Sequence, residues 1–278
     1  MSDTSSPARR RPTVADLRAD KGQRQHTMLR VFTLDEAAAA EAAGIDIVSV
    51  PPELVTHPDY RQAAPSLFSM TGLTHLTAGT REDYLRTSSA YIEAGADAVY
   101  CSGSLDTVAY LAREWIPVVG HVGLVPSRAT WTGGFRAVGK TAEAALALYE
   151  ECRAYEEAGA IAVEVEVVPV DVATEIARRM DRLMLWSMGA GAGCDAQYLF
   201  SVDILGETRG HIPRHSKVYR NFAAEYDRLQ AERIAAFSEF VADVQSGAFP
   251  EDRHLVHMDA DALAEFRAAL SGGDDGRA

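Results

Sequence analysis

Two carboxylates stand two residues apart in the otherwise apolar run Ala162–Pro169, Ala-Val-Glu-Val-Glu-Val-Val-Pro. A β-strand alternates faces with a period of two, so Glu164 and Glu166 share one face while Val163, Val165 and Val167 take the other. Keeping one such carboxylate ionised in an apolar strand costs on the order of several kcal/mol, and two repel unless they share a proton or a cation. One reading is a strand-end ion pair with Lys or Arg. The other is an acid/base or ligand pair facing the lumen of a barrel, with Glu164 raising the pKa of Glu166 toward neutrality.

Other residues offer chemistry with plainer alternatives beside it. His121 ends Pro117-Val-Val-Gly-His and opens a long Gly-, Pro-, Ser- and Thr-rich loop to Lys140; it can polarise a carbonyl, shuttle a proton or simply pin the loop. Gly189-Ala-Gly-Ala-Gly193 can turn bare N–H groups toward an anion or merely make a tight turn. Asp195 and Asp203 read as helix caps or ligands. His211-Ile-Pro-Arg-His-Ser-Lys217 is a basic patch that can hold an anionic group or seal a subunit contact.

Elements that could position these groups alternate along the chain. Strand-like runs are Thr27–Phe32, Asp46–Val50, Ser66–Thr71, Ala98–Cys101, Pro117–His121, the opening run, Leu183–Met188 and Leu199–Val202. Helical segments intervene, with Thr33 or Asp35 capping one that Gly44 ends. Further helices are expected over Asn221–Gln245 and Ala262–Leu270, the latter with Asp261 as a cap. About eight strands, most followed by a helix, predict a (β/α)8 TIM barrel with extra C-terminal helices, ahead of a doubly wound open sheet. The expected boundaries are a disordered tail over 1–13, one domain over 14–271 and a second tail over 272–278. A net charge of −13 argues against nucleic acid and anionic membranes as partners. No apolar run reaches the roughly 20 residues that span a bilayer, and three widely spaced cysteines suggest neither disulfides nor zinc. A cytoplasmic protein is expected.

Several motifs resemble one family. Pro117-Val-Val-Gly-His-Val-Gly-Leu-Val-Pro126 with Gly133-Gly134-Phe135, Glu156-Glu-Ala-Gly-Ala160, Val165-Glu-Val-Val-Pro169, Gly189-Ala-Gly191 with Asp195-Ala-Gln197, Asp203-Ile-Leu-Gly206 and Val244-Gln-Ser-Gly-Ala-Phe-Pro250 are similar to segments of ketopantoate hydroxymethyltransferases. The resemblance implies a barrel of the phosphoenolpyruvate-mutase and isocitrate-lyase type, assembled as a homo-oligomer such as a decamer. It also implies aldol chemistry on a 2-oxo acid, methylenetetrahydrofolate as one-carbon donor, and Glu166 as general base with His121 beside it.

The front half departs from the family. Two Asp residues that hold Mg²⁺ there fall on Val50-Pro51-Pro52-Glu53 and about Gly72-Leu73-Thr74. A substrate-contacting Lys and a metal-proximal Glu become Tyr100 and Ser102. Hard Mg²⁺ wants anionic oxygen, so no metal ligand is assigned. The expectation is a metal-independent, divergent enzyme, suited to specialised metabolism, that makes or breaks a C–C bond beside a carbonyl. Glu166, His121 and Tyr100 are its catalytic groups; Glu53, His75, Ser102 and Glu164 contact the small-molecule substrate. An ordinary Mg²⁺-dependent enzyme, a non-catalytic binding barrel, and a different cation held by Glu164 with His75 or Cys101 are the alternatives.

Overall fold

Eight parallel strands close on one another in sequence order, β1 to β8, in a computed structural model that describes residues 9–73, 79–132 and 134–271. The strands are β1 (His26–Arg30), β2 (Ile47–Val50), β3 (Phe68–Leu73), β4 (Ala98–Cys101), β5 (Val118–Gly123), β6 (Ala162–Glu166), β7 (Met184–Met188) and β8 (Ala196–Phe200). Helices α1 (Val14–Ala19), α2 (Leu34–Ala43), α3 (Pro52–Val55), α4 (Tyr60–Ala63), α5 (Arg81–Glu93), α6 (Leu105–Arg113), α7 (Ala129–Thr132), α8 (Ala142–Glu157), α9 (Val170–Arg179) and α10 (Ser201–Ile204) punctuate them. The TIM barrel expected from the alternation is what forms. Strand β8 begins three residues earlier than expected. Thr33, not Asp35, caps α2 by accepting the Glu36 N–H at 3.1 Å.

The two faces of the strands carry different jobs. Val48, Val50, Val99, Cys101, Val163, Val165 and Leu185 point outward and pack with the surrounding helices. Met28, Ile47, Met70, Ala98, Val119, Ala162, Trp186 and Ala196 point inward and fill the lumen as a floor. The period of two then sends the next inward residue of each strand into the mouth above that floor.

The opposite, N-terminal end is tied by three buried or near-buried carboxylates, each one residue before a strand. Asp46 accepts from the Thr27 N–H at 2.9 Å and from the Arg9 and Arg24 guanidinium groups. Asp97 accepts from the Ser69 N–H at 2.8 Å and pairs with Arg61 at 2.7 Å. Asp195 accepts from the Leu185 N–H at 2.8 Å and pairs with Lys21 at 3.1 Å. Asp195 is thus neither cap nor ligand, and Asp203 accepts from the Thr208 and Ser216 hydroxyls at 2.6 and 2.9 Å. Residues 9–13, expected within a disordered tail, are engaged: Arg9 reaches Asp46, Arg11 reaches Asp97, and Thr13 caps α1. Composition alone hid this, because the partners lie far along the chain.

The chain divides into two compact units, Met1–Phe222 and Ala223–Ala278, where one domain was expected. Within the second, α11 (Phe222–Ser246) and α12 (Ala260–Ser271) are largely exposed, and Asp259 rather than Asp261 accepts the first N–H groups of α12. Among the described residues no helix is long and apolar enough to cross a membrane.

Candidate active site

The mouth of the barrel holds a cavity of about 550 Å³ whose lining includes Arg30, Ser49, Tyr100, His121, Glu164 and Glu166. All six descend from the inward register just described. Parallel pairing sets His121 beside Glu164, and Gly123 beside Glu166. Gly120 permits this arrangement, since a Cβ there would lie 2.3 Å from the Tyr155 ring that backs β5.

His121 is the centre of the cluster and only 4% exposed. Its Nδ1 lies 2.8 Å from the Tyr100 hydroxyl and 3.7 Å from Glu164 Oε2. Its Nε2 lies 3.2 Å from Glu166 Oε2, an ion-pair distance without hydrogen-bond alignment, so that nitrogen is buried and unpartnered. Burial, reinforced by the charge of Glu166, pushes the Glu164 carboxyl up to about 7, although His121 and Arg30 pull it down. Glu164, read from the sequence as the neighbour that acts on Glu166, is thus itself a raised carboxyl. Burial first, then the Glu164 charge, raises the Tyr100 and Tyr198 phenols well above their ordinary value, so both remain donors at neutral pH.

Arg30, at the end of β1, is the one Lys or Arg side chain lining this cavity among the described residues. It donates to Ser49 Oγ at 2.8 Å and lies 5.5 Å over the Phe32 ring, with no carboxylate at ion-pair distance among the described residues. Sequence reasoning passed over Arg30, Ser49 and Tyr198. An Arg closing a strand reads as a solvated edge, and the signal that finds it is its register with buried Met28, two residues earlier.

Of the residues expected here, Glu164, Glu166, His121, Tyr100 and Ser102 do come together around the cavity. Glu53 does not. It is exposed in the first turn of α3 and acts on Tyr91 among the outer helices. His75 lies outside the described residues. Cys101 packs outward between helices, so it cannot share a cation with Glu164.

The backbone after Glu166 is held unusually. Val167 adopts φ +50, a left-handed conformation that is costly for a β-branched residue. Its N–H donates to Met188 O at 2.9 Å, and its carbonyl accepts from the Val138 N–H at 3.2 Å.

A sequence profile described as ketopantoate hydroxymethyltransferase matches residues 53–252. The chain belongs to that family. It is 31% identical over 291 residues to the 3-methyl-2-oxobutanoate hydroxymethyltransferase of Nitratidesulfovibrio vulgaris strain DP4, covering 96% of this chain and 92% of the relative. It is 38% identical over 181 residues to the protein of the same name from Cenarchaeum symbiosum, covering 64% of this chain and 66% of that one. Among solved structures, oxaloacetate acetylhydrolase in complex with 3,3-difluorooxalacetate superposes with a TM-score of 0.50 at 12% identity, over 95% of this chain and 98% of the other, a likeness of fold. Membership establishes a transferase-type enzyme.

The described residues do not supply the donor set that the family's Mg²⁺ would need. At the ends of β2 and β3, where the resemblance places two Asp ligands, the cavity wall is Ser49, Pro52, Gly72 and Leu73. The two lining carboxylates both belong to β6 and flank His121, with Arg30 acting on Glu164. Among the described residues, no three His, Cys, Asp or Glu side chains are grouped to hold an ion.

Proposed function

We propose that the chain makes or breaks a C–C bond next to the carbonyl of a 2-oxo acid, with Glu166 as general base and side-chain donors in place of Mg²⁺. The observation that supports this reading is the run Tyr100–His121–Glu166 opening into a cavity whose lining cation, Arg30, has no carboxylate at ion-pair distance among the described residues.

Arg30 holds the substrate carboxylate, and the proton retained on Glu164 keeps the site from repelling that anion. Glu166 takes the proton from the carbon beside the carbonyl, and the electron pair moves onto the carbonyl oxygen. In the tautomer of His121 that carries its proton on Nδ1, that N–H donates to the Tyr100 oxygen and leaves the Tyr100 O–H to donate to the developing enolate, where a fixed donor acts most strongly. The enolate carbon attacks an aldehyde-level one-carbon electrophile. The C–C bond forms, the electrophile's C=O π pair becomes an alkoxide, and that oxygen takes the proton from Glu166. A free aldehyde serves this step; methylenetetrahydrofolate, the donor the resemblance implies, carries a carbon of the same oxidation level and yields that aldehyde when water supplies its oxygen, both C–N bonds to the carrier break and the two carrier nitrogens take the protons.

Exchange of the C3 hydrogen for deuterium across a panel of 2-oxo acids, with EDTA present, tests the reading. The wild-type chain exchanges, and Glu166→Gln slows exchange about 10³-fold. Exchange that needs added Mg²⁺ would show the ordinary metal-dependent reaction instead. No exchange with any substrate overturns enolisation.

A further inference from the structure

Beyond the lumen, on the far side of Val167, lies a second cavity of about 730 Å³. Its wall contains Lys140, Arg214 and His215 and, among the described residues, no carboxylate, in a chain whose net charge is −13. Two stretches singled out in the sequence, the glycine run from residue 189 and the basic patch from residue 211, meet here. Gly189 lies so close to the His215 ring that a Cβ would come within 2.9 Å of it. Neither Lys140 nor Arg214 has an ion-pair partner among the described residues, so both charges are available. Tyr219, with Lys217 Nζ 4.8 Å from the centre of its ring, also lines the wall, and Gln197 is tied back to Gly191 O at 2.7 Å. The cavity is lined by the turn that follows β7 and by Gln197 and Leu199 of β8, beside the last two strands, whose following loops commonly receive anions in barrels.

The second cavity also adjoins the first. Met188 and Glu166 line one; Val167 and Gly189, the next residues along each strand, line the other. Across this wall Glu166 is near enough to act on His215, whose pKa is lowered by burial and raised in part by Glu166 and Asp203.

We propose that this second cavity binds the anionic portion of the co-substrate that carries the one-carbon electrophile, its carboxylate or phosphate resting on Lys140, Arg214 and His215. The assignment of a co-substrate rests on the aldol reading; the anion site itself does not. An aldol addition brings the enolate carbon and the electrophilic carbon into contact, so the one-carbon unit reaches into the first cavity while the anionic part of its carrier rests in the second, and the two adjoin at Glu166–Val167 and Met188–Gly189.

Titration calorimetry on the full chain, with inorganic phosphate and with glutarate as probes, tests the site. Wild-type protein binds at least one of them saturably. The Lys140→Ala, Arg214→Ala double variant binds about 100-fold more weakly, roughly tenfold for each cation removed. Phosphate binding with glutarate silent points to a phosphorylated donor, and the reverse points to a carboxylate-bearing one; both support the site. No binding, equal binding by the double variant, or loss of binding in Arg30→Met instead would overturn it. Because the calorimetry needs no turnover, it stands apart from the C3 exchange experiment, whose failure removes the co-substrate role alone. With turnover available, the double variant raises KM for the donor far more than it lowers kcat, and a kcat loss without a KM change contradicts the assignment.

Discussion

The base and the mouth of this barrel are built from the same strands and hold opposite kinds of polar group. At the base, Asp46, Asp97 and Asp195 are each saturated by a neighbouring strand's N–H and at least one Arg or Lys. At the mouth, among the described residues, His121 Nε2 has no hydrogen bond and Arg30 no carboxylate at ion-pair distance, while Glu164 holds its proton to about pH 7. Saturated charges lower the energy of one structure. Unsatisfied ones are kept because something else is to meet them, which is why the mouth reads as the reacting end.

That contrast can be broken by experiment. The largest effect belongs to the base, where Asp46→Ala leaves Arg9 and Arg24 facing an empty site and the Thr27 N–H unpaired. It should cost about 3 kcal/mol in urea unfolding. A cost below about 1 kcal/mol would mean that the base is ornamental.

Glu164→Gln should change the pH dependence of stability by about as much. The folded pKa of about 7 lies above the ordinary glutamate value of 4.5, so the folded state binds the proton more tightly. Stability from this group is complete below about pH 4.5 and is lost as pH rises through about 7. The loss amounts to about 3 kcal/mol at 1.36 kcal/mol per unit. The Gln variant should lack that slope, and an unchanged slope would place the proton elsewhere.

Tyr100→Phe removes the enolate donor and should lower kcat about 100-fold, with a stability change under about 1 kcal/mol. A smaller drop in kcat would take Tyr100 out of the reaction. Arg30→Met should raise KM for the 2-oxo acid about tenfold and change kcat less, as expected for a contact made equally before and during reaction. A variant that loses kcat alone would make Arg30 part of the chemistry.

What the sequence revealed follows the same division. The barrel was readable because alternating apolar strands and capped helices repeat a local rule, and Glu164, Glu166 and His121 were readable because each interrupts that rule. The base was not: Arg9, Arg24, Lys21 and Asp195 look like ordinary surface charges until strands 20 to 170 residues apart are brought side by side. Arg30 was missed for a related reason, since its neighbours Ser49 and Tyr198 come from other strands. Strand β8 was misplaced because Gln197 interrupts a short apolar run that tertiary pairing with β1 extends. Glu53 was chosen by its place in an aligned motif, and two prolines turn it away from the mouth.

Val167 links these observations to protein engineering. Substituting glycine there would relieve an uncomfortable backbone and is the kind of change a search for heat resistance would select. The same change would slacken the partition beside Glu166. A hardier protein obtained this way should be a slower one.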